Sequence, residues 1–350
     1  MVTGFCGLGL RGPGSRQAKP CSVRAVNSPR FDVVGMGNAL VDVIAHASDS
    51  FLAEHRLVKG WMDLIDTERA MELYHALGSA VEMSGGSAAN TVCGVASFGG
   101  RAAYIGKVSA DDLGDVFGHD LLAVGVQFRP GGRDNEIPTG RCIIVVTPDA
   151  ERTMNTYLGA SSLLAVGDVD TDAIAQGALL YMEGYLFDRP EAKEAFRVAA
   201  SVAHEAGRQV SLTLSDSFCV ERHRDDFRAL VSDEVDVLFG NEAELLALYQ
   251  TETLDQAVAA VRAECPLVAV TVGSKGSLVV TPDGVLSVPP VYVRHVIDTT
   301  GAGDLYASGF LYGLAQQRSL VDCGQLGSIA AAEVISHMGP RPLVELHTLT

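Results

Sequence analysis

Asp298-Thr-Thr-Gly-Ala-Gly-Asp304 is the stretch on which the reading of this chain turns. It follows a β-prone run, Val291 to Ile297, and precedes an apolar, small-residue helix expected over about 302–317. Gly301, Ala302 and Gly303 leave backbone amides almost uncovered at a helix start, where the first N–H groups lack intrahelical partners and the helix dipole is positive. That combination binds anions. Asp304 falls in the first turn, with its carboxylate beside the anion site. A carboxylate next to a bound phosphate is electrostatically unfavourable unless it handles a proton, so the arrangement suits a general base acting on a substrate hydroxyl. A glycine turn with an ordinary capping Asp is the plainer reading of the same residues.

Upstream of this stretch the chain alternates. Phe31-Asp-Val-Val-Gly-Met-Gly37 reads as a buried first strand feeding a glycine loop. From Gly159 the pattern is regular: strand near 179–183, helix 190–206, strand 210–214, helix 222–231, strand 235–239, helices 241–249 and 254–264, strand 267–272, a hairpin around Thr281–Gly284, and closing helices near 302–317 and 321–337. This predicts a mostly parallel sheet with helices on both faces, a three-layer α/β/α domain. Two β-rich pieces, about 40–65 and 126–157, interrupt the alternation and predict a small separate sheet. Thr67 is read as the N-cap of a helix over 67–77.

Other segments carry chemistry. Gly85-Gly-Ser-Ala-Ala-Asn90 is a glycine turn opening a small-residue helix, and Thr271-Val-Gly-Ser-Lys-Gly276 lies at a strand end. Neither this nor Gly35-Met-Gly37 is a nucleotide fingerprint: the first lacks the Walker spacing, and the second has Leu40 where a third glycine belongs. A dehydrogenase is disfavoured on that ground. Cys219 has no histidine in a recognisable pattern nearby and reads as a packed thiol.

These segments, in this order, resemble the ribokinase (PfkB) carbohydrate-kinase family over residues 31 to about 345. The resemblance implies a ribokinase-like fold with a small β-sheet lid, and makes Asp304 the catalytic base with the amides of Gly301, Ala302 and Gly303 around the transferring phosphoryl group. It associates Asn241 and Glu244, of Asn241-Glu-Ala-Glu244, with a Mg²⁺–phosphate network through water. Gly37-Asn-Ala-Leu-Val-Asp42, Leu214-Ser-Asp-Ser-Phe218 and Val235 to Glu244 are similar to segments of the adenosine kinases in that family. That similarity makes Asn38 and Asp42 ribose ligands, with Gly85, Gly86, Asn90 and Phe218 at the substrate and Arg152, Asn241, Thr271, Gly273 and Gly276 at the ATP phosphates. A carboxylate accepting two O–H bonds is a good clamp for a vicinal diol. The implied reaction is ATP-dependent phosphorylation of the 5′-hydroxyl of adenosine. Inosine, guanosine or a free sugar as acceptor, and a non-catalytic scaffold, are the alternatives.

The bulk of the chain agrees with such an enzyme. Apolar residues make up 47% of its 350 positions, enough for a sizeable core. A net charge of −17 argues against a nucleic-acid surface, and no apolar run reaches the roughly 20 residues a membrane-spanning helix needs. The expected partners are therefore ATP and a nucleoside, with no nucleic acid and no membrane, on a monomer or small homo-oligomer. Seven scattered cysteines without a CxxC read as reduced thiols. Residues 1–30 carry Arg11, Arg16, Lys19, Arg24 and Arg30 and no acid, the composition of a plastid or mitochondrial transit peptide.

Overall fold

The structure is a computed structural model that describes residues 28–130, 136–149 and 151–350. The expected leader lies almost wholly outside the described residues. Its last three members do not: the N–H of Arg30 donates to the Gln176 carbonyl at 2.8 Å and its guanidinium lies over the Phe31 ring, so the folded unit begins before Phe31.

Among the described residues the strands are β1 (Phe31–Met36), β2 (Leu40–His46), β3 (Met62–Leu64), β4 (Ala80–Gly85), β5 (Ala102–Ile105), β6 (Gln127–Phe128), β7 (Gly140–Val146), β8 (Arg152–Tyr157), β9 (Gly177–Glu183), β10 (Gln209–Thr213), β11 (Val237–Asn241), β12 (Leu267–Thr271), β13 (Ser277–Thr281) and β14 (Gly284–Val288). The main sheet runs β14-β13-β12-β11-β10-β9-β1-β5-β6 and is parallel except for the β12–β13–β14 edge. Its strands are apolar on both faces because helices cover both. In β1, Val34 and Met36 pack with Ala195, Phe196 and Phe227 on one side, while Val33 packs with Val92, Phe310 and Leu311 on the other.

The small sheet runs β3-β8-β7-β2-β4. The two β-rich pieces account for four of its strands, but β4 comes from outside them. Ala80–Gly85 lacks an unbroken apolar run and pairs antiparallel along β2. Conversely, β6 lies in the second β-rich piece yet joins the main sheet beside β5. Three other expectations are corrected. The helix Thr67–Ala76 is capped by Asp66, whose side chain accepts from the Arg69 N–H, with Thr67 inside the helix. The expected helix over 222–231 is two, Ser217–Arg222 and Arg224–Asp233, divided at His223. The β-prone run 291–297 forms no strand; Tyr292 is 86% exposed there, and no neighbouring strand offers a ladder. Five free cysteines (Cys93, Cys142, Cys219, Cys265 and Cys323) are buried among the described residues, and no described helix is long and apolar enough to cross a membrane.

Candidate active site

The chain leaves β1 for the small sheet and β5 on one side, then returns to β9 and continues outward on the other. Open α/β sheets place ligands beyond the carboxyl ends of their strands at such a reversal. Here a cavity of about 650 Å³ lies between those strand ends and the small sheet. Asn38 follows β1, Glu183 ends β9, Thr213 ends β10, Asn241 ends β11 and Thr271 ends β12, and all five line it. Because β1 runs into β2 rather than a helix, the Gly35–Gly37 turn cannot serve as a dinucleotide loop.

Opposite the strand ends stands the Asp298–Asp304 turn. Gly301 has φ +77° and is the N-cap of the helix Ala302–Ala315, and a Cβ there would press on Pro340 at 2.8 Å. Glycine is required twice over, by backbone conformation and by space. Gly303 faces open space. The Ala302 N–H is not free as expected: it donates to the Thr299 carbonyl at 3.2 Å, the price of folding the turn so tightly. Asp304 receives Ser87 Oγ–H on Oδ1 at 2.6 Å and Asn90 Nδ2–H on Oδ2 at 2.9 Å. Burial pushes its carboxyl above the usual range, and those two donors with the Arg341 charge pull it partly back. A carboxylate so raised is a better proton acceptor near neutral pH than an exposed one.

Asp42 lies on β2, opposite Met83 and Cys142 of the flanking strands, and lines the cavity. Burial lifts it to about 6, against the charges of Arg341 and Arg152. Gly85 makes room for its carboxyl, since a Cβ at that position would overlap it, and Gly86, at φ +94°, lets the turn approach the Asn38 carbonyl. Thus the glycine pair shapes this side of the cavity, and of the two only Gly86 lines it.

Glu183 was not singled out in the sequence, though an acid ending the apolar run Leu179–Met182 was a visible signal. It accepts from Asn38 N at 3.3 Å, Asn38 Nδ2 at 2.9 Å and Ala88 N at 2.8 Å, and burial lifts it to about 7. Arg341, also missed, donates from Nε to Asn90 Oδ1 at 2.7 Å and from Nη2 to the Ser84 carbonyl at 2.9 Å. Nothing in its local sequence distinguishes it from a surface arginine.

Asn241 and Glu244 form a capping box at the start of the helix Glu242–Tyr249: Glu244 Oε1 and Oε2 accept from Asn241 Nδ2 and N, and Asn241 Oδ1 accepts from the Glu244 N–H. Both side chains reach the cavity. Burial lifts Glu244 to about 7, with Asp216 and Asp304 adding to the rise.

Arg152 of β8 is not on the cavity wall. Its Nη1 pairs with Asp298 Oδ2 and lies 3.4 Å from Thr300 Oγ1, tying the small sheet to the glycine turn. Burial works against the Asp298 charge, but the Gly339 and Thr300 donors and Arg152 hold its carboxyl below the usual range. Thr271 is at the cavity, whereas Gly273 (φ +53°) and Gly276 (φ +93°) shape the turn from β12 to β13 and do not line it. Phe218 lines the mouth and is 64% exposed. Cys219 beside it is packed, its Sγ–H donating to the Gly184 carbonyl at 3.4 Å, and burial pushes its thiol up to about 12.

A model of the pfkB family of carbohydrate kinases matches residues 59–346. The crystal structure of adenosine kinase from Sinorhizobium meliloti is 51% identical and superposes with a TM-score of 0.84, covering 91% of this chain and 98% of that one. A probable sugar kinase from Rhizobium etli CFN 42 is 49% identical with a TM-score of 0.85, covering 92% and 98%. Adenosine kinase 2 of Arabidopsis thaliana is 25% identical over 339 residues, 89% of this chain and 96% of the relative. The three-layer domain with its small sheet is therefore the ribokinase-like fold, and the chain belongs to the pfkB carbohydrate-kinase family as an ATP-dependent kinase.

Proposed function

We propose that this kinase transfers the γ-phosphoryl group of ATP to the 5′-hydroxyl of a nucleoside, adenosine in particular. The observation that carries this reading is the two-sided character of the cavity. Asp42 and Asp304 supply carboxylates, while Leu40, Met62, Leu64, Ile144 and Met154 of the small sheet, with Phe218 at the mouth, contribute an apolar wall. A ribose diol matches an ionised Asp42, and a flat heterocycle matches the apolar surface. A free sugar would leave that surface wet.

In this reading Asp304 takes the proton of the attacking hydroxyl. The Gly303 amide of the first turn, with the positive end of the helix dipole, stabilises charge on the transferring group. The donor set suits Mg²⁺ held through its waters: Glu244 is an acid crowded by Asp216 and Asp304, a concentration of negative charge that a divalent cation relieves. Bound there by Asn241 and Glu244, the ion would neutralise the β- and γ-phosphates. The small sheet acts as a lid that excludes water from the cavity.

A coupled ADP-release assay across adenosine, inosine, guanosine, ribose and fructose tests the proposal. Adenosine should give the highest kcat/KM, by roughly tenfold or more. A sugar turned over faster than every nucleoside overturns it.

A further inference from the structure

Arg341 lies beyond the last long helix and outside every motif that carried the family resemblance. The tail that bears it is held on both sides. The Gly339 N–H donates to Asp298 Oδ2 at 3.0 Å, the Leu343 N–H to Glu333 Oε1 at 2.9 Å, and the Leu346 N–H to Ser97 Oγ at 2.9 Å. Pro340 packs against Gly301 of the anion turn. With its backbone fixed on either side, the Arg341 guanidinium reaches Asn90 Oδ1 at 2.7 Å and the Ser84 carbonyl at 2.9 Å.

We propose that Arg341 is the positioning residue of the catalytic carboxylate, acting through Asn90 to orient Asp304 and to keep it competent as a base. A guanidinium only donates, so the amide of Asn90 must turn its oxygen toward Arg341. That leaves Nδ2–H pointing at Asp304 Oδ2, 2.9 Å away. Reversed, the amide would present its oxygen to a carboxylate, and the hydrogen bond would become a repulsion. Arg341 on one side and the carboxylate on the other thus set which way Asn90 faces, and Asn90 with Ser87 fixes both oxygens of Asp304.

Charge points the same way. The titratable groups that interact with Asp304 are Asp42 from β2, Tyr181 and Glu183 from β9, Tyr185 from the turn after it, and Glu244 from the helix after β11. Every one of these is an acid or a phenol. Arg341 is the cation that acts on Asp304, while Arg152 is committed to Asp298. The bond to Ser84 also ties the end of β4, and with it the Gly85–Gly86 turn, to the same guanidinium.

The inference rests on Asp304 being the base, and the test separates the two claims. The full-length enzyme is compared with R341Q, R341K, N90A, R341Q/N90A and D304N, each first checked for a wild-type melting transition. In R341Q, kcat should fall by roughly 30- to 100-fold, short of the roughly 10²- to 10⁴-fold of losing the base outright, with the nucleoside KM changed by no more than about threefold. The acid limb of its kcat profile should move up by about one pH unit. R341K, which keeps the charge and a donor, should restore the limb and much of kcat. On the kcat plateau above the acid limb, R341Q/N90A should be no worse than N90A alone, because the positioning runs through Asn90, while its acid limb should still move up, because the charge acts on Asp304 directly. A folded R341Q whose acid limb stays in place, or penalties that multiply in the double variant, overturn the role of Arg341 while leaving a dead D304N to uphold the base. A D304N enzyme that turns over normally overturns the base itself.

Discussion

Glu183 holds Asn38 at both ends: its carboxylate accepts the backbone N–H at 3.3 Å and the side-chain N–H at 2.9 Å, while Ser161 donates to Asn38 Oδ1 at 3.0 Å. Removing the carboxylate leaves buried donors without partners. E183A should therefore lose on the order of 1.5–3 kcal/mol of stability for the charged bonds it deletes, and its nucleoside KM should rise roughly tenfold. Calorimetry and steady-state kinetics check both; an unchanged nucleoside KM would mean that Asn38 is held without Glu183. The pH dependence has a definite sign. Burial raises Glu183 from 4.5 to about 7, so the folded state binds its proton more tightly than the unfolded chain does. Its contribution to stability is full below about 4.5 and declines as pH climbs to about 7. E183Q, which does not titrate, should flatten that decline in part, with Glu244 and Asp42, both also raised by burial, carrying much of what remains.

Asp304→Asn should reduce kcat by roughly 10²- to 10⁴-fold while leaving nucleoside affinity near wild type. Asn90 Nδ2 and Ser87 Oγ meet an amide in place of the carboxylate, a change small enough to preserve the cavity. Single-turnover kinetics with calorimetric binding decide it. A variant retaining more than about a third of wild-type kcat would assign the proton to another group.

Asp42→Ala should raise the nucleoside KM roughly 10- to 100-fold, the equivalent of losing a charged acceptor, and change the ATP KM little. With Asp42 lifted to about 6, kcat/KM for the nucleoside should fall as pH drops through that value, because the protonated carboxyl accepts the diol poorly. A 2′,3′-dideoxynucleoside should bind wild type and variant equally weakly. Wild type binding it as well as the parent nucleoside would show that the diol is recognised elsewhere.

The ion pair between Arg152 and Asp298 has side chains only 9% and 6% exposed. Breaking it from one side strands a buried charge, so R152Q should cost about 3 kcal/mol, read as a lowered denaturant midpoint. Asp298 keeps its Gly339 and Thr300 donors, which limits the loss. A midpoint unchanged in R152Q would place the pair among solvated surface contacts.

A chain beginning at Ser28 should melt and turn over like the full one, and residues 1–27 fused to a fluorescent protein should enter a plastid or mitochondrion. The five basic residues without an acid before Phe31 motivate this. A cytosolic fusion signal refutes the address. A start after Arg30 should be measurably less stable, since it deletes the bond to Gln176.

The glycine turn before the helix Ala302–Ala315 was legible because its geometry is local: Gly301, Gly303 and Asp304 sit within one helical turn, and the residue types declare the backbone conformation. So was the parallel sheet, whose apolar strands are regular in period. What stayed hidden arises from distance. Arg341 meets Asn90 across 251 positions of chain and Asn38 meets Glu183 across 145, and a single sequence carries no mark of either meeting. Strand β4 escaped because Glu82 and Ser84 break its apolar pattern, and it exists through its pairing with β2. Arg152 was read as a phosphate ligand from its likeness to an adenosine-kinase arginine, and its pairing with Asp298, 146 positions away, left no mark in the sequence.

The buried cysteines make the protein its own reporter of opening. Burial lifts Cys142 and Cys219 to about 12 and Cys265 and Cys323 to about 11, so the reactive thiolate is scarce while the fold is closed. A small alkylating reagent then counts excursions rather than surface. Cys142 lines the cavity from β7 and reports movement of the small sheet, whereas Cys265 packs in the main core and waits for deeper unfolding. Site-resolved alkylation timed by mass spectrometry should find Cys142 ahead of Cys265, and saturating nucleoside should slow the first without slowing the second in proportion. Two clocks are thus built into one chain, and neither requires a label to be engineered.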